Sequence, residues 1–319
     1  MILVGGGALA YLMHQLGWAR IRAMFEGVGW WFAVIIGLDF VAMVFDAAAL
    51  RAFLGPDAAH VRYRRVFAAQ LAGHAINNLT PGGVLGEATK LNLLAGRADR
   101  TRVLSSIALF NLVGLYVSVI VMVIGIPITI ALVPLPDTIK LVITIGLAVL
   151  LPLVIATAVL VHRGALATLA DTAARLHLIS PARADAWRPK LHEIDEHLGE
   201  LHGGTDPGTR AGIAWIGASK ACGYIASLVL VVAVGAHLHL ALVVGVVSVG
   251  VLITWISSVV PLGLGILDAS NYELYDLLGA SGAHGVIVTL VGRVRNLVVA
   301  IAGLAMLAAM RLADQIQRR

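Results

Sequence analysis

Residues 76–94 read INNLTPGGVLGEATKLNLL, and this stretch decides the fold. It places Pro81, Gly82, Gly83 and Gly86, with Glu87 and Lys90, inside a chain otherwise apolar enough for lipid. Proline lacks the N–H that continues a helix, and glycine permits a tight return. Irregular backbone at membrane depth survives only where protein or a wet cavity satisfies its polar groups. The spacing therefore predicts a broken hairpin. Residues 61–79 enter the membrane, the chain turns at Pro81, Gly82 and Gly83, and residues 84–96 return to the same face. A half-helix starting near Val84 has unpaired N–H groups and a partial positive charge at its first turn, which suits phosphate. Asn77, Asn78 and Thr80 can hydrogen-bond the broken backbone or a polar headgroup.

Composition sets the surroundings. The 319 residues are 59% hydrophobic and 13% charged, with a mean hydropathy of +0.91. Ordinary soluble domains are about 25% charged, so the expectation is an all-α polytopic membrane protein. One cysteine, Cys222, excludes an internal disulfide and a multi-cysteine metal site, and its apolar neighbours suggest a buried structural thiol. The opening MILVGGGALAYLM lacks preceding basic residues and a clear cleavage site, so it reads as a retained first span.

A helix needs about 20 apolar residues to cross a bilayer. Trp30–Leu50, Leu141–Val161 and Ile287–Met310 qualify, the last containing Arg293 and Arg295. Val103–Pro136 reads as one helix and an apolar outer loop with Pro127, Pro134 and Pro136. Ala221–Leu267 is 47 residues without Asp, Glu, Lys or Arg, too long for one span, and AHLHL at 236–240 marks a turn. Eight Lys and Arg fall in 51–102, six in 162–210 and three in the tail, 17 of 23 in all. The positive-inside rule then places both termini and both basic segments in the cytoplasm. That orientation holds only if 241–280 dips in from the outer face and returns there.

The second dip centres on SSVVPLGLGILDASNYELY, residues 257–275. Asn78 to Gly83 echoes Ser258 to Gly263; Pro81 and Pro261 are 180 residues apart, and an acid follows each, Glu87 and then Asp268 or Glu273. Each half reads span, broken hairpin, span, in opposite orientation. In such inverted repeats, broken helices meet near the midplane to form a substrate site. The expected organisation is one membrane domain over 1–319. Its first repeat covers about 30–124, a linking span and cytoplasmic connector about 139–210, and its second repeat about 211–310. About six transmembrane helices and two re-entrant hairpins result.

The pattern N-x-x-P-G-G-x-x-G-E, a basic loop, and a later P-x-G-x-G followed by an acid and an Arg-bearing helix resemble the lysylphosphatidylglycerol synthase transmembrane family, also called flippase-like. The resemblance covers roughly residues 1–312. It implies a membrane domain that moves a phospholipid, aminoacylated ones included, between leaflets. With nine residues after Met310, the expectation is that domain without a synthase. Carried over residue by residue, the resemblance marks Pro81, Gly82, Gly86, Glu87, Pro261, Gly263, Gly265 and Arg293. Two departures stand out. Asn111 occupies a place where members often carry a Glu-Arg pair, and Leu262 replaces a glycine, leaving Asp268 as the nearest acid.

Each charged candidate has two readings. Glu87 is either a partner of the helix dipole or a cavity carboxylate meeting an amine or a proton. Arg293 and Arg295 point to different faces, so at least one should face inward and pair with an acid or a phosphate. Asp39 and Asp46 share one helix face and would pair with those arginines. Lys90 and Lys220 read as snorkelling to the interface, His74 as a packed, hydrogen-bonded residue, and Asp268 and Glu273 as either site or outer-surface acids. In HEIDEHLGELH, His192 and His197 are five apart, not the four that a helical zinc pair wants. That run reads as a solvated helix whose nearby basic residues could touch anionic lipid.

Three functions fit. The first is a translocator without catalytic residues or cofactor, in which membrane lipids, not nucleic acid, are the partners. There the half-helix ends and Arg293 hold phosphate while Glu87 holds an amine or proton. The second is a membrane enzyme acting on headgroups through Glu87 or His74. The third is a scaffold for an envelope-lipid enzyme.

Overall fold

A computed structural model describes residues 27–80, 84–134, 136–162, 180, 207–257 and 265–316. Among them the chain forms α1 (Trp31–Phe53), a 3-10 turn (Gly55–Ala59), α2 (Tyr63–Leu79), α3 (Val84–Leu94) and α4 (Arg100–Leu132). After these come α5 (Asp137–His162), α6 (Pro207–Ala233), α7 (Leu240–Ser257), α8 (Ile266–Leu277) and α9 (Gly282–Ile316). The protein is an all-α integral membrane protein. Six described helices are long and apolar enough to cross a bilayer: α1, α4, α5, α6, α7 and α9. The expected N-terminal span and the HEIDEHLGELH run lie outside the described residues.

Helix length separates the elements. At 1.5 Å per residue, α3 and α8, of 11 and 12 residues, extend only about 16–18 Å against a hydrocarbon core of about 30 Å. Each follows a longer arm, the 17-residue α2 or the 18-residue α7. The two ends of each pair sit side by side. Asp57, before α2, accepts from the backbone N–H of Asp99 at 3.1 Å and pairs with Arg102 at 3.8 Å, both after α3. His239, before α7, lies beside Gly279 after α8.

Two boundaries differ from the sequence reading. Pro127 is inside α4 rather than in an outer loop, and Ile266–Tyr275 is helical rather than part of a long break. A proline in an apolar helix costs one backbone hydrogen bond, which neighbouring helices can replace.

The helices pair across the two halves. α1 runs antiparallel to α6: Ile35 meets Ala226 and Leu230, Phe45 stacks on Trp215 at 5.4 Å, and Phe53 covers Gly212. α2 lies against α9, where Gly303 leaves room for the Leu71 carbonyl and the Ala75 methyl. α4 lies against α7, where Gly125 meets Ser248, whose hydroxyl is 3.3 Å from that of Thr129. Small residues at such crossings let backbones approach in lipid, where dispersion replaces the hydrophobic drive. Exchanging α1, α2 and α4 for α6, α7 and α9 maps the second crossing onto the third and the first onto itself. α5 stands at the edge and exposes Leu141, Val142, Ile145, Val149 and Ile155, an apolar surface that lipid solvates.

Candidate functional site

Between the hairpins and the long helices lies a cavity of about 800 Å³. Its wall carries Asp39 and Asp46 from α1, His74 and Asn77 from α2, and Glu87 and Lys90 from α3. Asn111 and Ser118 of α4, Ser219, Lys220 and Tyr224 of α6, and Thr289, Arg293 and Arg295 of α9 also line it, with Thr254 of α7 and Asn271 and Tyr275 of α8. Depth follows from register. Lys220 is the central residue of the 27-residue α6, and Arg293 lies about 17 Å along α9.

The first hairpin is locked by one side chain. Asn77, in the last turn of α2, accepts from the Gly86 N–H at 2.7 Å and donates to Glu87 Oε1 at 2.9 Å. A Cβ on Gly86 would overlap the Gly73 carbonyl and the Asn77 amide, so only glycine permits this crossing. Lys90 donates to the same Glu87 oxygen at 3.0 Å and lies 5.3 Å from the centre of the Phe110 ring, a cation–π distance. Thr80 turns its hydroxyl back to the Ile76 carbonyl at 2.7 Å, closing α2. Asn78 is half-buried and does not line the cavity.

The second hairpin uses a different construction. Gly265 precedes α8 with φ +80°, a conformation that favours glycine. Its N–H donates to Asp268 at 3.0 Å, and Arg293 donates to the same carboxylate oxygen at 2.6 Å. Arg295 turns the other way and pairs with Asp39 at 2.6 Å, tying α9 to α1. The two-residue spacing thus sends both arginines inward, to different acids. Asn111 on α4 and Arg293 on α9 each stand eleven residues after their helix starts, and both line the cavity. In the first half the cation comes instead from Lys90, on the acid's own helix.

Several expectations are corrected. Lys90 does not snorkel: it is buried on Glu87 and lines the cavity. Nor does Lys220, because α6 begins at Pro207 and not near Ala221. Pro207 suits a first helical turn, and that earlier start moves Lys220 to mid-helix. Asp46 faces Lys220 and hydrogen-bonds Ser219, so only Asp39 pairs with an arginine. His74 is not packed into the helix bundle; it is exposed to the cavity, within electrostatic reach of Lys90, Lys220 and Arg295. The i to i+3 spacing of Glu87 and Lys90 was the sequence signal for their pairing. Pro81, Gly82, Gly83, Pro261 and Gly263 lie outside the described residues.

A cavity wall that carries both carboxylates and cations offers groups for a phosphate and for an amine. The sequence model of one family, described as Lysylphosphatidylglycerol synthase TM region, matches residues 1–303. No curated protein and no solved structure matches the chain.

Proposed function

The chain belongs to the family of the lysylphosphatidylglycerol synthase TM region, and from that premise we propose that it is a lipid translocator. A phosphate-bearing headgroup, aminoacylated ones included, enters the cavity while its acyl chains stay in the surrounding lipid. The observation that carries this reading is the wall itself: Glu87, Lys90, Lys220, Arg293 and Arg295 converge on one cavity at membrane depth. Ionisable groups are costly there and mark substrate pathways. A scaffold has no need of them. In this reading the protein is not an enzyme, and Arg293 and Glu87 bind headgroup rather than transform it.

The topology proposed with it has α2/α3 and α7/α8 as re-entrant hairpins from opposite faces. The adjoining hairpin ends, the short returning arms and the exchanged helix pairs all support two inverted repeats. The excess of Lys and Arg in 51–102 and the tail supports cytoplasmic termini in a bacterial-type inner membrane.

The test is leaflet exchange in liposomes holding the purified protein and tail-labelled phospholipids. Wild type should exchange lipid, and folded Glu87→Ala and Arg293→Ala should lose most of it. Wild type that folds yet exchanges no lipid, with and without an imposed gradient, would turn the assignment toward a scaffold or a headgroup enzyme.

A further inference from the structure

The charges on the cavity wall and directly behind it sum to zero. Asp39, Asp46 and Glu87 line the cavity with Lys90, Lys220, Arg293 and Arg295, and Asp268, which does not line it, neutralises Arg293 from behind. Three couples are direct ion pairs at 2.6–3.0 Å. The fourth, Asp46 and Lys220, is within electrostatic reach without a direct ion pair. Despite that balance, two buried charged atoms on cavity-lining residues have neither a hydrogen bond nor an ion pair. Arg293, 7% exposed, reaches Asp268 through Nη2, and its Nε–H is buried without an acceptor. Glu87 gives Oε1 to Asn77 and Lys90, and its Oε2 is buried without a donor. One is an open donor on a cation and the other an open acceptor on an anion. Both residues line the same cavity. Buried polar atoms left without partners are rare and costly.

Resting on the translocator reading, we infer that the cargo is a zwitterionic headgroup with one phosphate, one primary amine and no net charge. A phosphate oxygen accepts from Arg293 Nε–H, and the ammonium donates to Glu87 Oε2. Phosphatidylethanolamine and alanyl-phosphatidylglycerol both carry this chemistry. Each supplies one acceptor and one donor of the required kind and adds no net charge. Phosphatidylglycerol adds an uncompensated negative charge to a charge-balanced wall at membrane depth, and lysyl-phosphatidylglycerol an uncompensated positive one. Phosphatidylcholine is neutral but has no N–H to donate, so it satisfies only Arg293.

The experiment is leaflet exchange of these five tail-labelled lipids in otherwise identical liposomes. Phosphatidylethanolamine and alanyl-phosphatidylglycerol should exchange faster than the other three by about tenfold or more, a discrimination that one uncompensated buried charge readily supplies. Changing the wall charge should move the ratios in opposite senses. Glu87→Gln leaves the cavity with one excess positive charge and should favour phosphatidylglycerol relative to phosphatidylethanolamine. Lys90→Gln leaves one excess negative charge and should favour lysyl-phosphatidylglycerol. A merely structural defect would slow every lipid alike. Fastest exchange of either charged lipid by wild type, or ratios unmoved in both variants, overturns the headgroup inference while translocation stands. If folded wild type exchanges no lipid, the translocator reading fails. Native mass spectrometry with the same five lipids then decides the headgroup question. Selective retention of the single-amine zwitterions sustains it, and equal retention or preference for a charged lipid overturns it.

Discussion

Arg293 on α9 and Asp268 on α8 are joined at 2.6 Å, so one ion pair clamps the short arm of the second hairpin to the helix that follows it. The first hairpin has no such clamp from α4, where Asn111 takes the matching place. There Lys90 neutralises Glu87 from one turn away, and Asn77 holds the arms together. The two halves reach similar electrostatics by different mechanics, and their variants should differ accordingly.

Asp268→Ala leaves the buried Arg293 without its carboxylate. Breaking a buried pair costs about 3–5 kcal/mol. Asp268 has a side chain 30% exposed, which puts the expected loss near the lower figure, about 3 kcal/mol. The double variant Asp268→Asn with Arg293→Gln should lose less than Asp268→Ala alone, because no unpaired charge remains. Denaturant unfolding in mixed micelles measures both. A double variant whose loss equals the sum of the Asp268→Asn and Arg293→Gln losses would show that the pair is not coupled.

Gly86→Ala should destabilise by about 1–3 kcal/mol, because its Cβ forces α2 and α3 apart. Asn77→Ala should cost a comparable amount, since it strips the Gly86 N–H and Glu87 of a partner together. Gly217→Ala is the control. Its Cβ would meet nothing within 4 Å on α6, and alanine favours helix over glycine, so it should be neutral or stabilising. Equal losses at Gly86 and Gly217 would mean that the α2–α3 crossing is not tight.

Water should reach His74. In a Cys222→Ser background, His74→Cys should react with a water-soluble methanethiosulfonate in the bilayer. Leu71→Cys, on the same helix and 2% exposed, should stay inert. Equal protection of both would mean that the cavity is closed to solvent.

The hairpin topology makes a sidedness prediction. Cysteines at Asp57 and Gly96 should be labelled from one face of the membrane, and cysteines at Gly235 and Gly279 from the other. An impermeant thiol reagent applied to intact and then to lysed cells reads this directly. Labelling of Asp57 and Gly96 from opposite faces would mean that α2 and α3 cross the bilayer rather than dip into it.

Much of this was legible along the chain. The broken hairpin at 76–94 declared itself through residue types that an apolar span otherwise excludes, and Asn77, Gly86 and Glu87 did prove mutually bonded. That at least one of Arg293 and Arg295 turns inward followed from helical periodicity, since residues two apart cannot both face lipid; that both do was decided by their separate acids. Lys90 and Lys220 were misread because a lone lysine near an apolar run looks like an interfacial anchor. Whether it is one depends on where the helix starts, and polar first turns hide that start.

The sequence by itself determined the solvent and the apolar spans, because hydropathy acts locally, but not every boundary, since Pro127 and Ile266–Tyr275 proved helical. The sequence offered Asp39 and Asp46 as partners of the two arginines, and the tertiary structure decided which acid meets which cation. Asp39 pairs with Arg295 and Asp268 with Arg293, while Asp46 faces Lys220. Each couple forms because burial leaves a charge no alternative to the nearest opposite one.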